Sequence, residues 1–175
     1  KEGIQKVKFH RNNLILLEFE FNFSNSSKLD FTTVSILNTS NSTLGSILVY
    51  GINLSQSFTK TLYLEKINNE LNGVCIKDAE ILNINEITDF CTGSNEFKIE
   101  CDGISQNGYI CTYNSSSNLY EISGLKHSGI EQFAYTKPTP SPQPSDGGGS
   151  SGGGGGGAGG GAGFASFYHD ADDDH

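Results

Sequence analysis

The stretch Leu14-Ile15-Leu16-Leu17-Glu18-Phe19-Glu20-Phe21-Asn22-Phe23 decides the fold class. Leu17, Phe19, Phe21 and Phe23 recur at every second position, with Glu18, Glu20 and Asn22 between them. A period of two places one row on a buried face and the other in water, which predicts a half-buried β-strand. Working outward, residues 4–10 read as a shorter strand carrying Ile4, Val7 and Phe9. Phe31–Leu37 and Ser46–Ile52 are rich in the β-branched and aromatic residues that pack on a pleated surface. Phe58, Lys60, Leu62 and Leu64 alternate with Thr59, Thr61 and Tyr63. Val74–Lys77, Glu96–Cys101, Tyr109–Tyr113 and Leu119–Ile122 read as further short strands, and Ile84–Asp89 as a strand or a single helical turn. Asn, Ser and Gly clusters separate these runs, and no segment sustains a 3.6-residue period. The pattern predicts an all-β protein, an antiparallel immunoglobulin-like sandwich. Residues 1–65 supply its first strands; residues 66–135 either complete the same sandwich or form a second small disulfide-stapled β unit.

Charge excludes some partners. All 11 Lys and Arg and 15 of the 20 acids lie in residues 1–137, giving 11 − 15 = −4 there. The other five acids lie beyond, giving −5. With no basic stripe, a nucleic-acid partner is not expected. No run approaches 18 apolar residues, so no transmembrane segment is expected in this chain. Lys1 reads either as a mature N-terminus left by cleavage of a leader or as an arbitrary starting point.

Cys75, Cys91, Cys101 and Cys111 are separated by 15, 9 and 9 residues, without the close-spaced pairs of a zinc ribbon. An even count in one third of the chain reads as two disulfides, with three connectivities open; short loops favour Cys75–Cys91 and Cys101–Cys111. Disulfides point to an oxidising, extracellular location. So does the density of Asn-x-Ser/Thr sequons, at Asn22, Asn25, Asn38, Asn41, Asn53 and Asn114. Five of the six fall in a segment rich in Asn, Ser and Thr, a composition that also produces sequons by chance.

Gly73-Val-Cys-Ile-Lys-Asp-Ala-Glu-Ile81, Ile84-Asn-Glu-Ile-Thr-Asp-Phe-Cys91, Cys101-Asp-Gly103, Gln106-Asn-Gly-Tyr-Ile-Cys111 and Gly124-Leu-Lys-His-Ser-Gly129 carry a resemblance. Together, over about residues 58–133, they resemble a disulfide-bearing module of archaeal cell-surface proteins, a family without assigned biochemistry. The resemblance implies an extracellular location, disulfides at the four cysteines and a following Pro- and Gly-rich linker; it transfers no catalytic residue.

Residues 136–163 change composition. Thr136-Lys-Pro-Thr-Pro-Ser-Pro-Gln-Pro144 reads as an extended polyproline-type spacer whose Thr and Ser suit O-glycans. Gly147–Gly163 is glycine apart from Ser150, Ser151, Ala158 and Ala162. It is neither a phosphate loop, lacking the Lys-Ser/Thr, nor collagen, lacking the triplet period. It reads either as a flexible linker or as a segment ordered by backbone contacts with a repeating partner. Residues 164–175 form an aromatic and acidic tail. In Phe164-Ala-Ser-Phe-Tyr-His169, extension puts Phe164, Ser166 and Tyr168 on one side and Ala165, Phe167 and His169 on the other. Phe164, Phe167 and Tyr168 are the candidate subunit contacts, since strand addition into a neighbour's sheet builds head-to-tail polymers. His169, Asp170, Asp172, Asp173, Asp174 and His175 are the candidate ligands for a divalent metal ion: carboxylates suit Ca²⁺ or Mg²⁺, imidazoles Zn²⁺ or Cu²⁺. The run does not follow the EF-hand pattern, and a solvated acidic terminus is the plainer explanation.

No enzyme signature is found. Ser128 lacks a nucleophile elbow, His10 and His127 lie far apart in sequence, and Asp78 and Glu80 read as loop acids beside Lys77. The expectation is a non-catalytic structural subunit of an extracellular filament or surface assembly, a homopolymer joined by strand addition. The alternative is an adhesin or glycan-binding module on a flexible stalk, using divalent metal. Absence of Trp argues mildly against a surface-glycan partner.

Overall fold

A computed structural model describes residues 3–24, 28–55, 57–127 and 129–136. Eleven strands run in chain order: β1 Ile4–Arg11, β2 Leu14–Asn22, β3 Ser35–Ser40, β4 Gly45–Tyr50, β5 Lys60–Glu65, β6 Gly73–Lys77, β7 Glu96–Glu100, β8 Asp102–Gln106, β9 Tyr109–Asn114, β10 Leu119–Leu125 and β11 Gly129–Phe133. They form two antiparallel sheets, six strands ordered β1-β2-β5-β10-β9-β8 and five ordered β3-β4-β11-β6-β7. The all-β sandwich is thus as the alternation predicts. Residues 66–135 contribute strands to both sheets, interleaved with those of residues 1–65.

Leu17, Phe19 and Phe21 of β2, Leu62 and Leu64 of β5, and Tyr120 and Ile122 of β10 face inward from the larger sheet. They meet Ile47 and Val49 of β4, Ile130 of β11, and Val74 and Ile76 of β6. A side chain of this kind contributes roughly 1.5–3 kcal/mol when fully buried, so a one-residue slip, which turns the whole row outward, is strongly disfavoured. A second cluster explains why β4 is buried on both faces. Leu48, Cys75, Ile81, Ile87 and Cys91 pack on the outer side of the five-stranded sheet, beneath the loop between β6 and β7.

Local chemistry sets the turns. Asn12 and Asn13, at φ 50° and 66°, close the β1–β2 hairpin, and Asn107-Gly108, at 54° and 86°, closes β8–β9. Both central residues lie at positive φ, the combination that matches strand twist in two-residue hairpins.

Three elements differ from the sequence reading. Strand β3 starts at Ser35 rather than Phe31, because Asp30 Oδ1 accepts from Thr32 N and Thr32 Oγ1 and holds residues 30–33 in a turn. Strands β8 and β11 were not expected. The first is an exposed edge without apolar alternation, and the second buries Gln132 where an apolar residue would have marked it. Gln132 is satisfied there: its Nε2 donates to Glu65 O and its Oε1 accepts from Ile67 N. Of the two readings of residues 84–89, the helical one applies, as a 3-10 turn at Ile84–Glu86 with a capping box between Asn83 and Glu86.

Candidate functional site

The four cysteines pair as Cys75–Cys91 and Cys101–Cys111. The first pins the β6–β7 loop onto the outer face of the five-stranded sheet. The second ties the end of β7 to β9 and so links the two sheets at one edge. No cysteine among the described residues is free.

Glu96 sits beside the first disulfide, its side chain sealed from solvent. Oε1 accepts from Thr88 N at 3.0 Å and Lys77 Nζ at 3.3 Å; Oε2 accepts from Thr88 Oγ1 at 2.5 Å and Gly93 N at 2.6 Å. Burial alone would raise its pKa, but these donors outweigh burial and hold it at about 2. Cys75, Cys91 and Glu96 place their ligand atoms within 4.8 Å of one another. As a disulfide the sulfurs offer no thiolate, and the carboxylate is fully engaged, so this group fastens a loop and does not hold a metal.

At one end of the sandwich the Lys77-Asp78-Ala79-Glu80 segment meets Lys126-His127. Asp78 Oδ1 accepts from Lys126 N at 3.2 Å and His127 N at 2.5 Å, and Oδ2 accepts from Tyr109 Oη at 2.9 Å. Burial, and then Asp78, push the Tyr109 phenol well above its ordinary range. His127 Nδ1 lies 3.1 Å from Glu80 Oε2, with both side chains exposed. Sequence distance concealed this junction: 31 to 49 residues separate the partners.

Lys60, on the inward row of β5 with Leu62 and Leu64, is 2% exposed. Its amine makes no ion pair within 4.0 Å among the described residues. Burial pulls its pKa down to about 8, against the opposing pull of Glu80 and Asp78. An amine at that pKa is a usable nucleophile, but one sealed in the core meets no substrate. Nearby, Lys28, Asp30, Thr33, Gly51, Asn53 and Glu80 line an open cleft of about 360 Å³.

Among the sequons, Asn22, Asn41, Asn53 and Asn114 are exposed, at a strand end, a turn, a loop and a strand end respectively. Asn41 Oδ1 accepts from Thr43 N, Thr43 Oγ1 and Leu44 N, each at 2.8 Å, and Asn114 Oδ1 from Ser116 N and Ser117 N. Asn38 is half-buried on β3 and lines a groove of about 490 Å³ with Arg11, Asn12, Leu14 and Leu16. Asn25, the tail residues Phe164, Phe167 and Tyr168, and the six metal candidates from His169 to His175 lie outside the described residues.

No family model, curated protein or solved structure matches this chain. No helix among the described residues is long and apolar enough to cross a membrane.

Proposed function

We propose that the chain is a non-catalytic structural subunit of an extracellular assembly, in which a terminal segment of one copy adds as a strand to the sheet of the next. The observation that carries this reading is the presence of open sheet edges in the body together with the short, aromatic-rich segment Phe164–His169 in the tail. An edge strand offers a row of unpaired backbone donors and acceptors, and an extended tail satisfies them. Two disulfides and the sequons support an oxidising, extracellular setting, as does the resemblance to archaeal surface modules. The engaged carboxylates, sealed lysine and absence of free cysteine among the described residues support a structural role over a catalytic one.

Negative-stain electron microscopy of the full chain and of residues 1–144, with and without Ca²⁺, tests the reading. Filaments from the full chain that vanish on shortening are the expected result. Monodisperse particles from both would overturn it and favour a binding module acting through the cleft of Lys28, Asp30, Asn53 and Glu80. Filaments that form only with Ca²⁺, and not from a chain lacking residues 169–175, would assign the ion to the acidic terminus.

A further inference from the structure

Among the described residues, four strands have one unpaired edge: β1 and β8 in the larger sheet, β3 and β7 in the smaller. Proteins commonly protect such edges with charges or bulges. Strand β1 carries Lys6, Lys8, His10 and Arg11, with a register shift between Phe9 and His10. Strand β7 carries Glu96, Lys98 and Glu100. Strand β8 carries Asp102 and a register shift between Asp102 and Ser105. Strand β3, Ser35-Ile36-Leu37-Asn38-Thr39-Ser40, has no charge, and its six residues pair with β4 without a break. It exposes Leu37 at 47%. Of the four edges it alone lacks a device against pairing.

The opposite sheet shows what is missing beside it. Six strands face five, and the groove between Arg11–Leu16 and Asn38–Ser40 places β3 across from the β1–β2 side. The inward residues Val7 and Phe9 of β1 are only half-buried, whereas Leu17 and Phe19 of neighbouring β2 are 0% and 3% exposed. Phe31, 55% exposed, packs on Phe9 with ring centroids 5.9 Å apart. A sixth strand beside β3 would cover this apolar strip.

We propose that the β3 edge is the acceptor, and that residues 164–169 of a neighbouring copy are the strand it takes. This rests on the assembly reading above and adds its address. The donor segment has six residues, as β3 has, and carries no acid or base except His169 at its end. Either of its rows, Phe164 and Tyr168 or Phe167, brings aromatic surface to Val7, Phe9 and Phe31. The described chain ends at Thr136, next to Tyr135, whose N donates to Asn72 Oδ1. The sequence predicts a polyproline-type spacer over the nine residues Thr136–Pro144, about 28 Å long at about 3.1 Å per residue. A glycine-rich coil of the length of Gly147–Gly163 adds roughly 20–25 Å. That reach exceeds the roughly 30 Å length of a nine-residue strand, so the segment can extend past its own root to a sheet edge. The choice of a neighbour's edge over the chain's own comes from the assembly reading, and mixed-chain crosslinks decide it.

The test is site-specific photo-crosslinking in the full chain. p-Benzoylphenylalanine replaces, one at a time, Leu37 on β3, Lys8 on β1, Lys98 on β7 and Ile104 on β8, in mixtures of isotopically light and heavy chains. The expected result is light–heavy crosslinks from position 37 to residues 164–169, at least tenfold above the other three positions. A companion variant, Leu37→Lys, puts a charge on this exposed position and is expected to lower filament yield at least tenfold, with the circular dichroism of the monomer unchanged. Filaments whose crosslinks map to β1, β7 or β8 would overturn the β3 address and leave the assembly reading standing. Crosslinks from position 37 confined within one chain would overturn the intersubunit donor. Absence of filaments from the unmodified chain would overturn both.

Discussion

Replacing Glu96 with Gln tests the packing of the β6–β7 loop through one carboxylate. Gln keeps the size and one carbonyl oxygen, but its NH₂ must face one of two donor pairs. These are Thr88 N with Lys77 Nζ, or Thr88 Oγ1 with Gly93 N. Leaving buried donors unpaired costs about 1–3 kcal/mol each. A second route gives a similar size. A fall from 4.5 to about 2 is worth about 3–4 kcal/mol at roughly 1.4 kcal/mol per unit. Relaxation of the largely exposed loop at residues 88–93 around the new amide trims this, so the expected loss at pH 7 is about 2–3 kcal/mol. At about 4 °C per kcal/mol for a body of this size, the melting temperature falls by about 8–12 °C. The sign follows from linkage. The folded pKa lies below the unfolded one, so the stabilisation is present above about pH 4.5 and is lost as pH falls towards 2. Glu131 is shifted the other way by burial, then by Asp89 and Glu96, so comparing pH profiles of wild type and variant is more telling than either alone. Urea unfolding of oxidised protein, followed by circular dichroism from pH 2 to 7, is the assay. A difference under about 0.5 kcal/mol at pH 7, or an equal acid slope in both proteins, would refute the reasoning.

Lys60→Met is expected to stabilise the protein at pH 7 by about 1–3 kcal/mol, since it removes a buried charge that has no ion-pair partner among the described residues. In wild type the folded lysine deprotonates near 8 and the unfolded one near 10.5, so stability should climb across that window and not in the variant. Above about pH 10.5 stability falls in both proteins, because Tyr63 and Tyr120, held at about 12 by burial, keep protons the unfolded chain releases. Chemical denaturation at pH 7, 9, 10 and about 11.5 reads these differences; a wild-type profile that is flat from pH 7 to 10 would contradict them. Removing the Cys101–Cys111 bridge by a double Ala substitution frees a loop of ten residues and is expected to cost about 3 kcal/mol by chain entropy. A loss below 1 kcal/mol would mean that inter-sheet packing at β7 and β9 suffices without the bond.

Strand patterning was legible wherever one face is wet. Leu17, Phe19 and Phe21 alternate with Glu18 and Glu20 because β2 borders solvent on its outer face. Two-sided burial was legible too where it left an apolar run, as in β4 and β6. Legibility failed at β11, which is enclosed without such a run, and at β8, which is not buried. Strand β11 is enclosed by the core on one face and by Ile81 and Ile87 on the other, so close that a Cβ at Gly129 would meet Ile81 at 2.5 Å. Its sequence therefore carries Gly129 and Gln132 where a pattern reader expects apolar residues. Strand β8 has no buried face and nothing to alternate. The Asp78 junction with Lys126, His127 and Tyr109 was hidden for another reason. Its bonds go mainly to backbone N–H groups from a distant strand end, and a single loop acid gives no hint of them. The edge position needed the topology as well: the predicted strand Phe31–Leu37 carries no sign that the strand formed there, at Ser35–Ser40, lies at the end of a sheet.

The sequons and the acceptor edge constrain one another. Ile36 packs against the core and Asn38, two residues on, shares its face, turned into the groove beside Arg11, Leu14 and Leu16. A glycan on Asn38 would fill the space that an added strand beside β3 needs, and its amide is already half-buried. Asn41 differs: it sits on the exposed β3–β4 turn, its Oδ1 holding three donors including the hydroxyl of Thr43, which leaves Nδ2 free for modification. Asn114 is similarly placed, with Oδ1 on Ser116 N and Ser117 N. If β3 accepts a strand, protein secreted from a glycosylating host should carry sugar at Asn41 and Asn114 and little at Asn38. Site-by-site occupancy by mass spectrometry decides the point. Occupancy above about half at Asn38 in chains recovered from filaments would be incompatible with a strand docked there, because both would claim the same side of the sheet.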